Sequence, residues 1–111
     1  MHISIKSTEE RTEQGKAFTV YAITIGDAAF PSSTRRYSEF REFHVLMSTE
    51  NAKLNFPSFP PKKWFGAMNS SFILARSAAL EEYLRALVGV FRNRPQEEDA
   101  LRVFCGGESR Y

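Results

Sequence analysis

Hydrophobic and polar positions divide the chain into an alternating part and a helical part. In HISIKS, residues 2 to 7, Ile3 and Ile5 alternate with polar neighbours, and FTVYAITI, residues 18 to 25, is a dense run of β-branched and aromatic residues closed by Gly26 and Asp27. Both fit strands, because strand side chains face alternate ways and branched or aromatic groups pack well on a pleated surface. The stretch from Ala28 to Tyr37 is expected to return as a third strand, with an irregular or edge start because Pro31 has no N–H to give a ladder. After Tyr37 the period changes. Phe40, Phe43 and Met47 fall at helical spacing, Ser38 is placed to cap, and Glu39 and Glu42 set negative charge near the positive helix end, so a helix is expected from about 38 to 48. NFPSFPPKKWFG, residues 55 to 66, carries three prolines and a glycine and reads as an extended, partly polyproline-like loop. Ile73, Leu80, Leu84, Leu87 and Phe91 then mark one face of a long helix over about 70 to 91. Pro95, the acidic Glu97, Glu98 and Asp99, and Leu101 and Phe104 ahead of Gly106 and Gly107 make a short last helix. Strands followed by helices give an α+β class: a small three-stranded antiparallel sheet packed against a helical subdomain with a proline-rich loop.

Composition narrows the function classes. The 111 residues suffice for one core and not two, so residues 1–111 are expected to form a single domain, and 42% hydrophobic with 25% charged residues excludes a disordered chain. Fifteen Lys and Arg against thirteen Asp and Glu leave a net charge of +2, which argues for no polyanion. The basic residues form one compact group rather than a long stripe, so no nucleic-acid partner is expected. Cys105 is the single cysteine, which excludes an internal disulfide, and with His2 and His44 it supplies too few ligands for a closed zinc site. No cofactor or metal is expected, and a reducing, cytoplasmic setting fits. No nucleophile elbow, glycine-rich phosphate loop or metal-spaced cluster arranges the Ser, His and carboxylate residues, so the chain does not read as an enzyme. No signal-peptide pattern is present, and the longest uncharged run, Trp64 to Ala75, is well short of the roughly 20 apolar residues of a spanning helix. A membrane, if met, is met from outside.

The charge distribution is more informative than its sum. No acidic residue lies between Asn51 and Leu80, while Lys53, Lys62, Lys63 and Arg76 do. Arg76 falls three residues after Ile73 and four before Leu80, at the border of the apolar stripe. A charge there snorkels outward, pairs with a nearby glutamate, or waits for an anion. RRYSEF, residues 35 to 40, sets two arginines and a tyrosine where a strand gives way to a helix; alone, it reads first as a solvated sheet edge, and the rest of the chain has to shift that reading.

In order and spacing, RRYSEF, FPSFPPKKWFG and RSAALEEYL together resemble the phox-homology (PX) domain, a phosphoinositide-binding module, over about residues 3 to 105. The last two stretches are most similar to those of family members carried by an endosomal kinesin and a serum-responsive kinase. The resemblance implies binding of phosphatidylinositol 3-phosphate, with Arg36 on the 3-phosphate, Tyr37 beneath the inositol ring, Lys62 or Lys63 on the 1-phosphate and Arg76 on the free ring hydroxyls. The chemistry suits those places: a guanidinium fork grips phosphate oxygens bidentately, and an aromatic face suits a sugar-like ring. Adjacent strand residues face opposite ways, so only one of Arg35 and Arg36 can enter the pocket. Trp64 and Phe65, with Met68 as a third, stand where family members dip into the bilayer; as residues alone they read equally as satellite core. The implied role is recruitment of a parent protein, from the cytoplasm, to the periphery of endosomal membranes. Two alternatives stay open. Pro57 and Pro60 form a P-x-x-P ligand through which a protein partner would be bound at the proline-rich loop, and an extra cation from Lys53 or Lys63 would change head-group selectivity.

Overall fold

The computed structural model of the protein describes residues 1–62 and 70–111. Three strands, β1 (Ile3–Glu13), β2 (Lys16–Ile25) and β3 (Ser33–Arg36), form one antiparallel sheet in the order β1-β2-β3. Three helices follow, α1 (Tyr37–Glu50), α2 (Ser70–Val90) and α3 (Pro95–Phe104). The architecture is the α+β arrangement expected from the sequence.

The differences are local and have local causes. β1 and β2 run on past the expected ends as a ribbon in which Glu13 pairs with Lys16 across Gln14 and Gly15, both at positive φ (52° and 78°). Two left-handed residues are what a two-residue hairpin turn demands, since that backbone twist matches the twist of the strands. Residues 6 to 13 are exposed, so this part of β1 has no buried face for an alternating pattern to report. β3 is shorter than expected, four residues, with 26 to 32 given over to turns and bends around Pro31. α1 begins one residue early. Arg36 is its N-cap, with extended backbone, and donates its N–H to the Glu39 carboxylate at 3.0 Å; Ser38 lies inside the first turn and does not cap.

The core lies between the sheet and the helices. Ile3, Ile5, Tyr21 and Ile23 meet Phe40 and Met47 of α1, Leu80, Tyr83, Leu84 and Leu87 of α2, and Leu101 and Phe104 of α3. Burying each such side chain stabilises the fold by roughly 1.5–3 kcal/mol. A bulge between Ile5 and Ser7 shifts the β1–β2 register, and α2 caps the outer edge of β1 beside it: the Glu81 carboxylate accepts the Ile5 N–H at 2.8 Å and the Arg85 guanidinium donates to the Ile3 carbonyl at 2.7 Å. After α3 the chain crosses the β2–β3 connection at Gly106, φ 96°, where a Cβ would lie 2.3 Å from the Ser32 carbonyl oxygen.

Candidate functional site

A cleft of about 300 Å³ opens where the end of β3, the start of α1, the proline-rich loop and the first turns of α2 converge. Arg36, Tyr37, Lys62 and Arg76 all line it, together with Phe18, Tyr21 and Phe72. Four residues singled out from separate stretches of sequence are thus brought together. Lys63, Trp64, Phe65 and Met68 lie outside the described residues.

The two arginines of RRYSEF part as strand alternation requires. Arg35 pairs with Tyr21 across the ladder and turns towards α3, where its Nε donates to the Phe104 carbonyl at 3.1 Å, its Nη1 meets Glu39 at 3.0 Å and its guanidinium covers the Phe104 ring. Arg36 pairs with Val20 and turns the other way, into the cleft, with its guanidinium 4.0 Å from the centre of the Phe18 ring. Among the described residues no carboxylate forms a salt bridge with Arg36. Glu39 serves both: one oxygen holds the Arg36 backbone, the other the Arg35 side chain.

Arg76 is at the border of the α2 stripe, half-buried, and it is not neutralised there. Its guanidinium lies between the rings of Tyr37 and Phe72, 4.0 and 4.5 Å from their centres, and Nη2 donates to the Lys62 carbonyl. Its Nε is buried without a hydrogen-bond partner among the described residues. A buried donor left unpaired costs about 1–3 kcal/mol.

Tyr37 ties the proline loop to the sheet. Its hydroxyl donates to the Pro60 carbonyl at 2.6 Å and its ring packs on Phe59 at 5.5 Å. Burial pushes the phenols of Tyr37 and Tyr21 above their ordinary value, and the nearby positive charge of Arg76 only partly opposes this. Both therefore stay neutral at physiological pH and add no negative charge to the cleft. Beneath the same loop His44, a border residue of α1, stacks on Phe59 at 5.0 Å and places Nδ1 2.5 Å from the Tyr83 hydroxyl. Lys53 is elsewhere, in a separate depression with Arg94 past the end of α1.

Sequence reasoning missed Phe18, Tyr21 and Phe72 as walls of the cleft. Phe72 stands four residues before Arg76 on α2, a spacing that could have flagged it. Phe18 carried no signal, because its neighbour across the sheet depends on a register that the sequence does not state. Among the described residues no cluster of His, Cys, Asp and Glu could hold a metal ion, and no helix is long and apolar enough to cross a membrane.

A sheet followed by helices, with a cation-lined cleft at the strand-to-helix junction and a proline-rich loop across it, defines a class of lipid-binding module. The PX domain family model matches residues 30–104, and the chain belongs to that family, whose members bind phosphoinositides and target membranes. Among its relatives, the kinesin-like protein KIF16B of Homo sapiens is 45% identical over 56 residues, covering 50% of this chain and 4% of that protein. Sorting nexin-13 of Mus musculus is 30% identical over 94 residues, 79% of this chain and 10% of that protein. Sorting nexin-3 of Yarrowia lipolytica is 27% identical over 111 residues, 95% of this chain and 70% of that protein. The chain thus matches only a small part of the first two proteins. A solved structure, the X-ray structure of a designed CISK-PX domain, superposes with a TM-score of 0.72 at 28% identity, covering 93% of this chain and 95% of the other.

Proposed function

We propose that residues 1–111 act as one unit that binds phosphatidylinositol 3-phosphate and holds a parent protein on the cytoplasmic face of endosomal membranes. The observation that carries this reading is the convergence, in one cleft, of Arg36 and Arg76, neither with a carboxylate partner among the described residues. Arg36, with its guanidinium edge open, takes the 3-phosphate. Lys62, exposed at the mouth, takes the 1-phosphate, with Lys63 beside it in sequence. Arg76 bonds the ring hydroxyls, and Tyr37 packs on the inositol ring; a ring seated on the face that Arg76 now covers would displace that guanidinium. Arg36, Lys62 and Arg76 supply three positive charges. A phosphomonoester of about −1.5 to −2 and a diester of about −1 balance them, whereas a further phosphate would find no fourth cation among the described residues that line the cleft. Trp64, Phe65 and Met68 insert at the headgroup boundary, where aromatics and flanking lysines suit an anionic leaflet. Relatives named as sorting nexins fit a membrane-sorting role.

The rival P-x-x-P reading is weakened by one observation: Pro60 is buried and its carbonyl is engaged by Tyr37, so its pyrrolidine ring is not presented to a partner. The test is flotation with vesicles that differ only in phosphoinositide. Binding selective for the 3-phosphate lipid and lost in Arg36→Ala is the expected result; binding indifferent to the lipid, or unchanged in a folded Arg36→Ala protein, would refute it.

A further inference from the structure

The side chain of Arg36 is held by very little. Among the described residues it forms no salt bridge, and its guanidinium lies over the face of Phe18, 4.0 Å from guanidinium carbon to ring centre. Arg76, by contrast, is clamped by two rings and a carbonyl. Sheet register places the ring: Val20 is opposite Arg36 and Phe18 is two residues back along β2, so Phe18 is the diagonal neighbour of Arg36 on the same sheet face. Arg11, opposite Phe18 across β1, is tied to Glu9 at 3.0 Å, so the nearest cation along that face is already neutralised and does not compete for the ring.

The geometry points to Phe18 as the positioning residue of the head-group site, an inference that rests on the binding role assigned to Arg36. A phenyl ring attracts a guanidinium face through its quadrupole, and it does so without using any N–H donor. The ring therefore takes the face of Arg36 and leaves the edge, where the donors are, for a phosphate gripped bidentately. A carboxylate in the same place would orient the fork equally well but would occupy its donors and repel the ligand. Phe18 thus fixes the rotamer in advance, so less freedom is lost when the head group arrives. It also restricts the phosphate to approach in the guanidinium plane.

Titration of the whole 111-residue chain with soluble inositol 1,3-bisphosphate tests this, with each variant's thermal midpoint measured alongside. Phe18→Leu keeps the apolar bulk and loses the quadrupole, and is expected to bind roughly five- to tenfold more weakly at a similar midpoint. Phe18→Tyr and Phe18→Trp are expected to bind within about twofold of wild type or tighter, following cation–π strength. Phe18→Met takes the place of Phe18→Leu should that variant not fold. A non-aromatic variant that binds like wild type, or aromatic variants that weaken as much as it does, would overturn the assignment. Arg36→Ala is the control: if it binds like wild type, the head-group reading itself fails, whatever Phe18 does.

Discussion

Arg35 and Arg36 are adjacent in sequence, identical in chemistry and opposite in what surrounds them. Arg35 spends its donors on the Phe104 carbonyl and Glu39, so Arg35→Ala is expected to lower stability by about 1–2 kcal/mol in urea unfolding while leaving head-group affinity within about twofold. Arg36→Ala is expected to do the reverse: stability unchanged within about 0.5 kcal/mol, binding of soluble inositol 1,3-bisphosphate lost. If the two variants changed places, the assignment of faces in β3 would be wrong. Alternation alone shows from the sequence that these arginines part. It cannot say which enters the cleft, because that depends on pairing with Val20 and Tyr21, which no local pattern encodes. The same limit hid Phe18, whereas Arg76 was legible because its neighbours lie on its own helix.

At the scale of elements, legibility followed burial. α2 could be read because it buries one face, and the inner end of β1 because Ile3 and Ile5 alternate with polar residues. The ribbon from 6 to 13 could not, because its side chains are exposed and nothing selects their alternation. Ser38 was misread as a cap since residue type alone favours it, while the backbone of Arg36 already had its acceptor in Glu39. Contacts between elements make two further predictions. Gly106→Ala combines a positive φ with a Cβ 2.3 Å from the Ser32 carbonyl oxygen, and is expected to cost roughly 2–4 kcal/mol by urea unfolding; a neutral effect would mean that the chain leaves α3 by another path. His44 joins α1 to the proline loop and α2. Burial among Phe56, Phe59 and Tyr83, and secondarily the charge of Arg41, holds its imidazole below the ordinary value of 6.5. The unfolded chain therefore takes up this proton first on acidification, and stability is lost as pH falls from about 6.5 through the lower folded value. His44→Phe removes that contribution. The thermal midpoint of the variant is expected to fall less than that of wild type between pH 7.5 and 5.5; parallel curves would show that the imidazole takes up its proton alike in the folded and unfolded chains.

For the whole molecule, a net charge of only +2 coexists with a cleft whose three described cations converge from β3, the proline loop and α2. Net charge gives such a protein little long-range attraction to an anionic surface, so its membrane affinity rests on the head group and, separately, on the local lysines and apolar side chains that meet the lipid boundary. The two contributions separate experimentally, because a soluble head group reports only the first. On the proposed reading, Trp64→Ala removes one interfacial aromatic and is expected to weaken vesicle binding by roughly ten- to hundredfold, the effect of about 1.5–3 kcal/mol. Affinity for soluble inositol 1,3-bisphosphate should stay within about twofold, and so should the difference between vesicles with and without the 3-phosphate lipid that Arg36 produces. Were Trp64 part of the core, the same substitution would lower the thermal midpoint by several degrees and weaken both assays together. Equal losses would transfer Trp64 from the membrane to the interior and leave the head-group cleft as the sole anchor. With one cleft alone, recruitment would then have to depend on a second contact elsewhere in the parent protein.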